Sequence, residues 1–286
     1  MFGIRRRLYG RIARYLTKTR KSYRQVVPND MAMLKRELRK GDIILIDGDQ
    51  RVSEVIKYLS QSSWSHAAIY VGNEITNRAP RDRALLQGQF GQDANHMIVE
   101  ALVEGVVASP ISKYQSFNLR ICRPRNLRKE DLRPVLDEIL GQIGYRYDVQ
   151  HIIDLARYLF PVSLIPRRFR RRALQMGSGL TREVICSTMI ARAFQNVGFP
   201  ILAAVTRTEK PASRFLERMR DGLMRRGPAQ PGIYRACSPA LMTPRDFDLS
   251  PYFEVLKINF DSHARFDYRR ITWASDDEPE QETATG

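Results

Sequence analysis

Cys186-Ser187-Thr188-Met189-Ile190-Ala191-Arg192-Ala193-Phe194 opens on a thiol and continues with a helical apolar period. Polar Thr181, Arg182 and Glu183 lead into the run, and Gly198 and Pro200 end it, which predicts a helix over 186–197. Far upstream, Ser65-His66-Ala67-Ala68-Ile69-Tyr70-Val71-Gly72 has the composition of a strand and carries a histidine. The reactive form of a cysteine is the thiolate, and both a helix N-terminus and a neighbouring imidazolium favour it. The two stretches supply one of each, with the histidine first in the chain. Such a pair normally needs a third polar group to orient the imidazole. Glu100, in the strand-like run His96-Met97-Ile98-Val99-Glu100-Ala101-Leu102, is the candidate. If strands 65–71 and 97–102 are neighbours, His66 and Glu100 share one face. The backbone N–H of Cys186 at its helix start can then serve as an oxyanion donor. Taken singly, a cysteine on an apolar helix face is more often a buried structural residue, so the weight rests on the combination.

Working outward, Gly41-Asp42-Ile43-Ile44-Leu45-Ile46-Asp47-Gly48 reads as a buried strand bracketed by turn residues. Residues 53–59 read as a helix with Ser53 as N-cap, and residues 78–94 as a polar loop. A further strand begins at Gly105, and 119–123 alternates as a half-buried strand. Residues 129–140 are helical up to Gly141 and Gly144, and 252–258 forms a closing strand. The pattern predicts an α+β fold, a small antiparallel sheet carrying His66 and Glu100 and packed against the helix of Cys186.

The chain has 286 residues, 43% of them hydrophobic, enough for a substantial core, and a formal charge of +16. That charge is uneven. Residues 1–38 form a basic segment in which Ile4, Leu8, Ile12, Tyr15 and Leu16 follow a helical period between arginines, predicting a basic amphipathic helix over 2–24. Arg5, Arg6, Arg7 and Arg11 are candidate contacts for anionic lipid, as are Arg167, Arg168, Arg170 and Arg171, which follow the apolar run 152–166. The alternatives are a helix packed on its own domain and a core helix ending in a solvated basic loop. A catalytic domain is expected over 39–262 and an acidic, disordered tail over 263–286. Cys122, Cys186 and Cys237 show neither paired metal spacing nor a disulfide framework, and His96, His151 and His263 lack metal-ligand spacing. No glycine-rich phosphate loop is present, so no cofactor is expected. Neither an apolar run of signal-peptide length nor one of about 20 residues occurs, which points to a cytoplasmic protein, with peripheral membrane contact as an option.

Taken in order, Gly41-Asp42-Ile43-Ile44-Leu45, Ser65 to Gly72, Val99-Glu100-Ala101, Tyr147-Asp148 and Cys186-Ser187 resemble the permuted NlpC-type papain-like superfamily. The resemblance is strongest to the YiiX/YebB-like cysteine hydrolases, which include the lipo-like proteins, and it spans residues 40–260. It implies a circularly permuted papain-like fold with Cys186 as nucleophile, His66 as base and Glu100 as the orienting residue. Tyr147, Asp148 and Ser187 are implied as supporting residues, although Asp148 also suits a helix cap.

The activity so implied is hydrolysis or acyl transfer at an amide or ester bond through a thioester. The basic leader tilts the substrate toward an acyl lipid or another membrane-associated acyl compound. A cell-wall peptide amide is the alternative substrate, and the missing export signal weighs against it. A non-catalytic membrane-binding module that keeps the papain-like shell is a second class of reading. Nucleic acid is the weakest partner, because no interleaved aromatic platform or motif accompanies the charge. Oligomeric state is left open.

Overall fold

The computed structural model describes residues 18–20, 22–78, 80–102, 105–145, 185–207, 233–239 and 242–256. The described helices are α1 (Met31–Glu37), α2 (Arg51–Ser60), α3 (Glu74–Arg78), α4 (Pro80–Phe90), α5 (Lys129–Gly141), α6 (Ile185–Asn196) and α7 (Pro244–Asp248). The strands are β1 (Ile43–Asp47), β2 (His66–Gly72), β3 (Met97–Leu102), β4 (Gly105–Pro110), β5 (Asn118–Pro124), β6 (Ala203–Arg207), β7 (Ile233–Ala236) and β8 (Phe253–Leu256). Short 3-10 turns cover Gly91–Asn95 and Ile111–Tyr114.

Six strands form one antiparallel sheet in the order β4-β3-β2-β1-β5-β8, and β6 and β7 pair separately. The unbroken apolar run of β1 follows from its central place, with both faces covered. Ile43 and Leu45 join one cluster, and Ile44 and Ile46 join the other. On the first face lie α5 and α6, through Val135, Leu136, Ile139, Met189, Ile190, Ala193 and Phe194. On the second lie α1, through Leu34, and the 3-10 turn of Ile111 and Tyr114. This is the α+β architecture expected, with a larger sheet and a second covered face.

Several elements differ from the sequence reading. The stretch 78–94 is helical, not a loop: α4 has Pro80 at its first position, where a missing N–H costs nothing, and is built of good helix formers. Its exposed residues carry no continuous apolar stripe, and that polarity is what reads as loop. Helix α2 starts at Arg51 with Gln50 as N-cap, and Ser53 lies inside its first turn. The domain boundary at 38/39 cuts a packed element, because Leu34 and Leu38 are buried against the sheet. Asp30 caps α1 by accepting from the N–H groups of Ala32 and Met33. Arg123 then ties the end of α1 to the sheet, donating to the Glu37 carbonyl (2.7 Å) and to the buried Asp42 carboxylate (2.7 Å).

The helix expected over 2–24 does not extend through its second half. Residues 18–20 and 22–24 are not helical: Thr19 bridges Gln50, and Arg20 N–H donates to the Asp49 carbonyl (2.8 Å). The rest of that segment, the run 152–166 and the acidic tail lie outside the described residues. Among the described residues, no helix is long and apolar enough to cross a membrane. Helix α7 was not foreseen either. It carries a capping box between Thr243 and Asp246, with Pro244 in its first turn.

Candidate active site

Helix α6 begins at Ile185, so Cys186 occupies its first turn, where backbone N–H groups have no intrahelical acceptor. The helix is seated on the sheet by the buried Met189, Ile190, Ala193 and Phe194. His66 is the first residue of β2 and pairs with Ile46 of β1. On the other side of β2, Ala68 pairs with Glu100 of β3. The pleat therefore puts His66 and Glu100 on one face as diagonal neighbours. That face is the one of Ala68, Tyr70 and Tyr114, whereas Cys186 belongs to the cluster on the other. Thiol and imidazole meet where β2 begins, at the end of the sheet.

The imidazole Nε2 donates to Glu100 Oε2 (2.9 Å), which leaves Nδ1 as the nitrogen for Cys186. Glu100 has further partners. The Tyr114 hydroxyl donates to Oε2 (2.5 Å), and Lys113 Nζ donates to Oε1 (2.7 Å). The Glu100 side chain is completely buried and that of His66 is 17% exposed, so little water competes for these bonds.

Burial works against each of these charges, and the neighbours overcome it. For Cys186, burial pushes the thiol pKa up, but the charge of His66 and the hydrogen bond with it push further down. The Ala67 N–H and Ser187 help, and the pKa settles below its ordinary value. For His66, burial disfavours the imidazolium, whereas Cys186 and then Glu100 favour it and raise its pKa to about 10. Glu100 is likewise penalised by burial, yet His66 and then Lys113 lower its pKa to about 2. These directions favour a thiolate–imidazolium pair backed by a carboxylate, the form in which sulfur attacks a carbonyl.

Ser187 is buried, with Oγ 3.9 Å from the Cys186 sulfur. Tyr147, Asp148, Arg5, Arg6, Arg7, Arg11, Arg167, Arg168, Arg170 and Arg171 lie outside the described residues. His96 is apart from the site, with Nδ1 hydrogen-bonded to the Tyr70 hydroxyl (2.9 Å). Cys122 is inside the sheet, and Cys237 is partly buried. Lys113 and Tyr114 are the contributors that the sequence reading missed. They follow β4 in a 3-10 turn, and no spacing in the sequence links them to Glu100; the fold-back of that turn onto β3 does.

A family model described as permuted papain-like amidase enzymes of the YaeF/YiiX, C92 family matches residues 37–178. The match supports a YiiX-like permuted papain-like family for this chain. The matched span holds His66, Glu100, Lys113 and Tyr114 and ends before Cys186, whose place beside the histidine comes from the geometry above. The family's cysteine-hydrolase chemistry agrees with that geometry, and its fold is the α+β one described. Among solved structures, one titled as the metalloprotein yiiX from Escherichia coli O157:H7 is similar. It is 14% identical, with 77% of this chain and 96% of that chain covered and a TM-score of 0.41. No curated protein matches. Among the described residues, no group of three or more His, Cys, Asp or Glu side chains could hold a metal ion.

Proposed function

We propose that the protein cleaves an amide or ester bond by thiol catalysis, with Cys186 as nucleophile, His66 as general acid and base, and Glu100 as the orienting carboxylate. The observation that carries this reading is the hydrogen-bonded line from Cys186 through His66 to the buried Glu100 carboxylate, 2.9 Å from the imidazole, along which the thiol pKa is pushed down and the imidazole pKa up. The thiolate adds to the carbonyl carbon, and the Cys186 N–H, in the first turn of α6, donates to the developing oxyanion. The His66 imidazolium passes its proton to the leaving nitrogen or oxygen, the tetrahedral centre collapses, and a thioester remains. Neutral His66 then takes a proton from water, or from an acceptor alcohol or amine, as that molecule attacks the thioester. The acyl product leaves, and the thiolate–imidazolium pair is restored.

We infer a lipid or membrane-associated acyl compound as substrate, on the basic composition of residues 1–38 and 167–172. The chain's amidase relatives favour a second substrate class, a peptide amide. The catalytic domain is read as spanning residues 22–262, because α1 and the segment before it pack on the sheet. The test is intact-mass analysis of the full-length protein after exposure to a total lipid extract, wild type beside Cys186→Ser. An acyl adduct on wild type alone, mapped to Cys186, is the expected result, and its mass identifies the acyl group. An adduct of equal yield on Cys186→Ser removes Cys186 as the nucleophile. No adduct on either, with hydrolysis of peptide amides by wild type alone, moves the substrate to the peptide class.

A further inference from the structure

Glu100 is held more firmly than orienting an imidazole requires. One N–H···O bond would turn the ring of His66, yet both carboxylate oxygens carry additional donors, and these come from consecutive residues of one turn, Lys113 and Tyr114. The Lys113 side chain is 38% exposed while the carboxylate it reaches is wholly buried. Its ammonium also lies 5.2 Å from the centre of the Tyr114 ring. That ring is fixed in turn, edge-on to Phe117 at 5.2 Å and beside His66 at 6.4 Å. Asn29 secures the same turn from below, donating to the carbonyls of Gln115 (2.9 Å) and Phe117 (2.7 Å).

We propose that Lys113, together with Tyr114, is a positioning residue of the thiol site: it keeps Glu100 ionised and aimed at His66 throughout turnover and sets the pH range in which the Cys186 thiolate exists. This rests on the reading of Cys186 and His66 as nucleophile and base. The argument is one of charge. While the imidazolium is present, Glu100 has a cation at its Oε2. Once His66 has given its proton to the leaving group, that cation is gone, and a buried carboxylate without a counter-charge is strongly disfavoured. Lys113 takes no part in the proton transfer and bonds the other oxygen, so Glu100 neither takes up a proton nor turns away before His66 must act as a base. Tyr114 holds Oε2 by a neutral hydrogen bond, which fixes the rotamer without adding charge.

The groups beside the thiol and imidazole are Glu100 from β3, the Ala67 N–H of β2 and Ser187 of α6; Lys113 and Tyr114 of the 3-10 turn act through Glu100, and the charge of Asp49, from the β1–α2 loop, is felt at Tyr114. Removing the Lys113 charge destabilises the thiolate and relieves the imidazolium of a like charge. Both limits of the reactive window therefore move to higher pH together.

The experiment is alkylation of the full-length protein by iodoacetamide across pH, with Cys186 followed separately from Cys122 and Cys237 by peptide mass spectrometry. Wild type, Lys113→Met, Lys113→Arg and Tyr114→Phe are compared. For Lys113→Met the Cys186 rate on the acid limb of the profile is expected to fall about three- to tenfold, with both limbs displaced to higher pH. Lys113→Arg is expected to restore the wild-type profile, and Tyr114→Phe to give a smaller displacement. Should Lys113→Met not fold, Lys113→Gln replaces it with the same expectation. A folded Lys113→Met with the wild-type profile overturns the proposal, as does a Lys113→Arg displaced like Lys113→Met; in both cases the depressed wild-type thiol still stands. If wild-type Cys186 itself reacts as an ordinary thiol, the nucleophile reading falls first and takes this proposal with it.

Discussion

Cys186 and Cys122 are both buried thiols, and both belong to the cluster on the α5–α6 face of the sheet. They differ in what stands beside them. Cys122 lies within β5 opposite Ile43, and burial, then the nearby Asp248, push its thiol up to about 12. Cys186 sits where a strand begins, and His66 more than offsets the same burial penalty. Two histidines, His66 at the start of β2 and His96 just before β3, repeat the contrast. His66 and His96 each lie 6.4 Å from a tyrosine ring, Tyr114 and Tyr70 respectively. His66 has a carboxylate on Nε2 and is raised to about 10, whereas His96 bonds a phenol and is lowered by burial and by Lys35. Burial silences a titratable group, and a correctly placed opposite charge in the same dry surroundings is what activates it.

The strongest way to break this comparison is to ask the two thiols to react side by side. At pH 7, Cys186 should alkylate at least on the order of a hundredfold faster than Cys122, because the fraction present as thiolate sets the rate. Cys186→Ser should abolish the fast phase and Cys122→Ser should leave it intact; equal rates in the wild type would erase the distinction. Next in size, His66→Ala should make Cys186 resemble Cys122. Its alkylation at neutral pH should drop by about a hundredfold, since burial is then unopposed. An unchanged rate would show that the helix terminus alone lowers the thiol.

Glu100→Gln sharpens the histidine half of the comparison. It preserves the shape and removes the charge, so the upper pH limit should come down from about 10. Titration of the His66 ring by NMR would show this shift directly, and an unmoved ring would assign the whole elevation to Cys186.

Stability offers a subtler reading. The folded thiol pKa is depressed and the folded imidazole pKa is raised from their ordinary values of 9.0 and 6.5. Between those two values the unfolded chain keeps the thiol proton and the folded chain keeps the imidazole proton, so the counts match and the pair's contribution is flat with pH. Below 6.5 the unfolded chain holds one more proton, and stability falls as pH falls toward the depressed thiol pKa. Above 9.0 the folded chain holds one more, and stability is lost as pH rises through about 10. In Cys186→Ser the thiol proton and the larger support of the imidazolium are both removed, so the loss of stability above 9.0 should disappear. Denaturant midpoints for the two proteins, taken at intervals from pH 5 to 10, would decide; superimposable curves would mean that no ion pair forms. The smallest effect is expected at the edge of the site. Asn29→Ala removes donors to the turn that carries Tyr114 and should cost about 1 kcal/mol, read from the same denaturation curves. A cost near zero would mean that the segment before α1 only lies against the domain.

Much of this was legible before any tertiary structure. The apolar runs of β1, β2 and β3 announce themselves by composition, and the two-residue period of a strand places His66 and Glu100 on one face once β2 and β3 are neighbours. The helical period after Cys186 puts the thiol in a first turn. Less was legible where the local signal is weak or misleading. Helix α4 has no apolar stripe to reveal it, and the basic character of residues 1–38 hides two leucines, Leu34 and Leu38, that complete the second face of the sheet.

Periodicity and capping act over a few residues, so the chain by itself determined its strands, the helix of Cys186 and the identity of a thiol, an imidazole and a carboxylate suited to one reaction. Tertiary structure alone decided which buried cysteine stands beside a histidine, that thiol and imidazole approach from opposite faces at the end of the sheet, and that Lys113 and Tyr114 hold Glu100. Those outcomes depend on strand register and on charges brought together across long stretches of chain, and the sign and size of a pKa shift follow from that assembled surrounding rather than from the residue's neighbours in sequence.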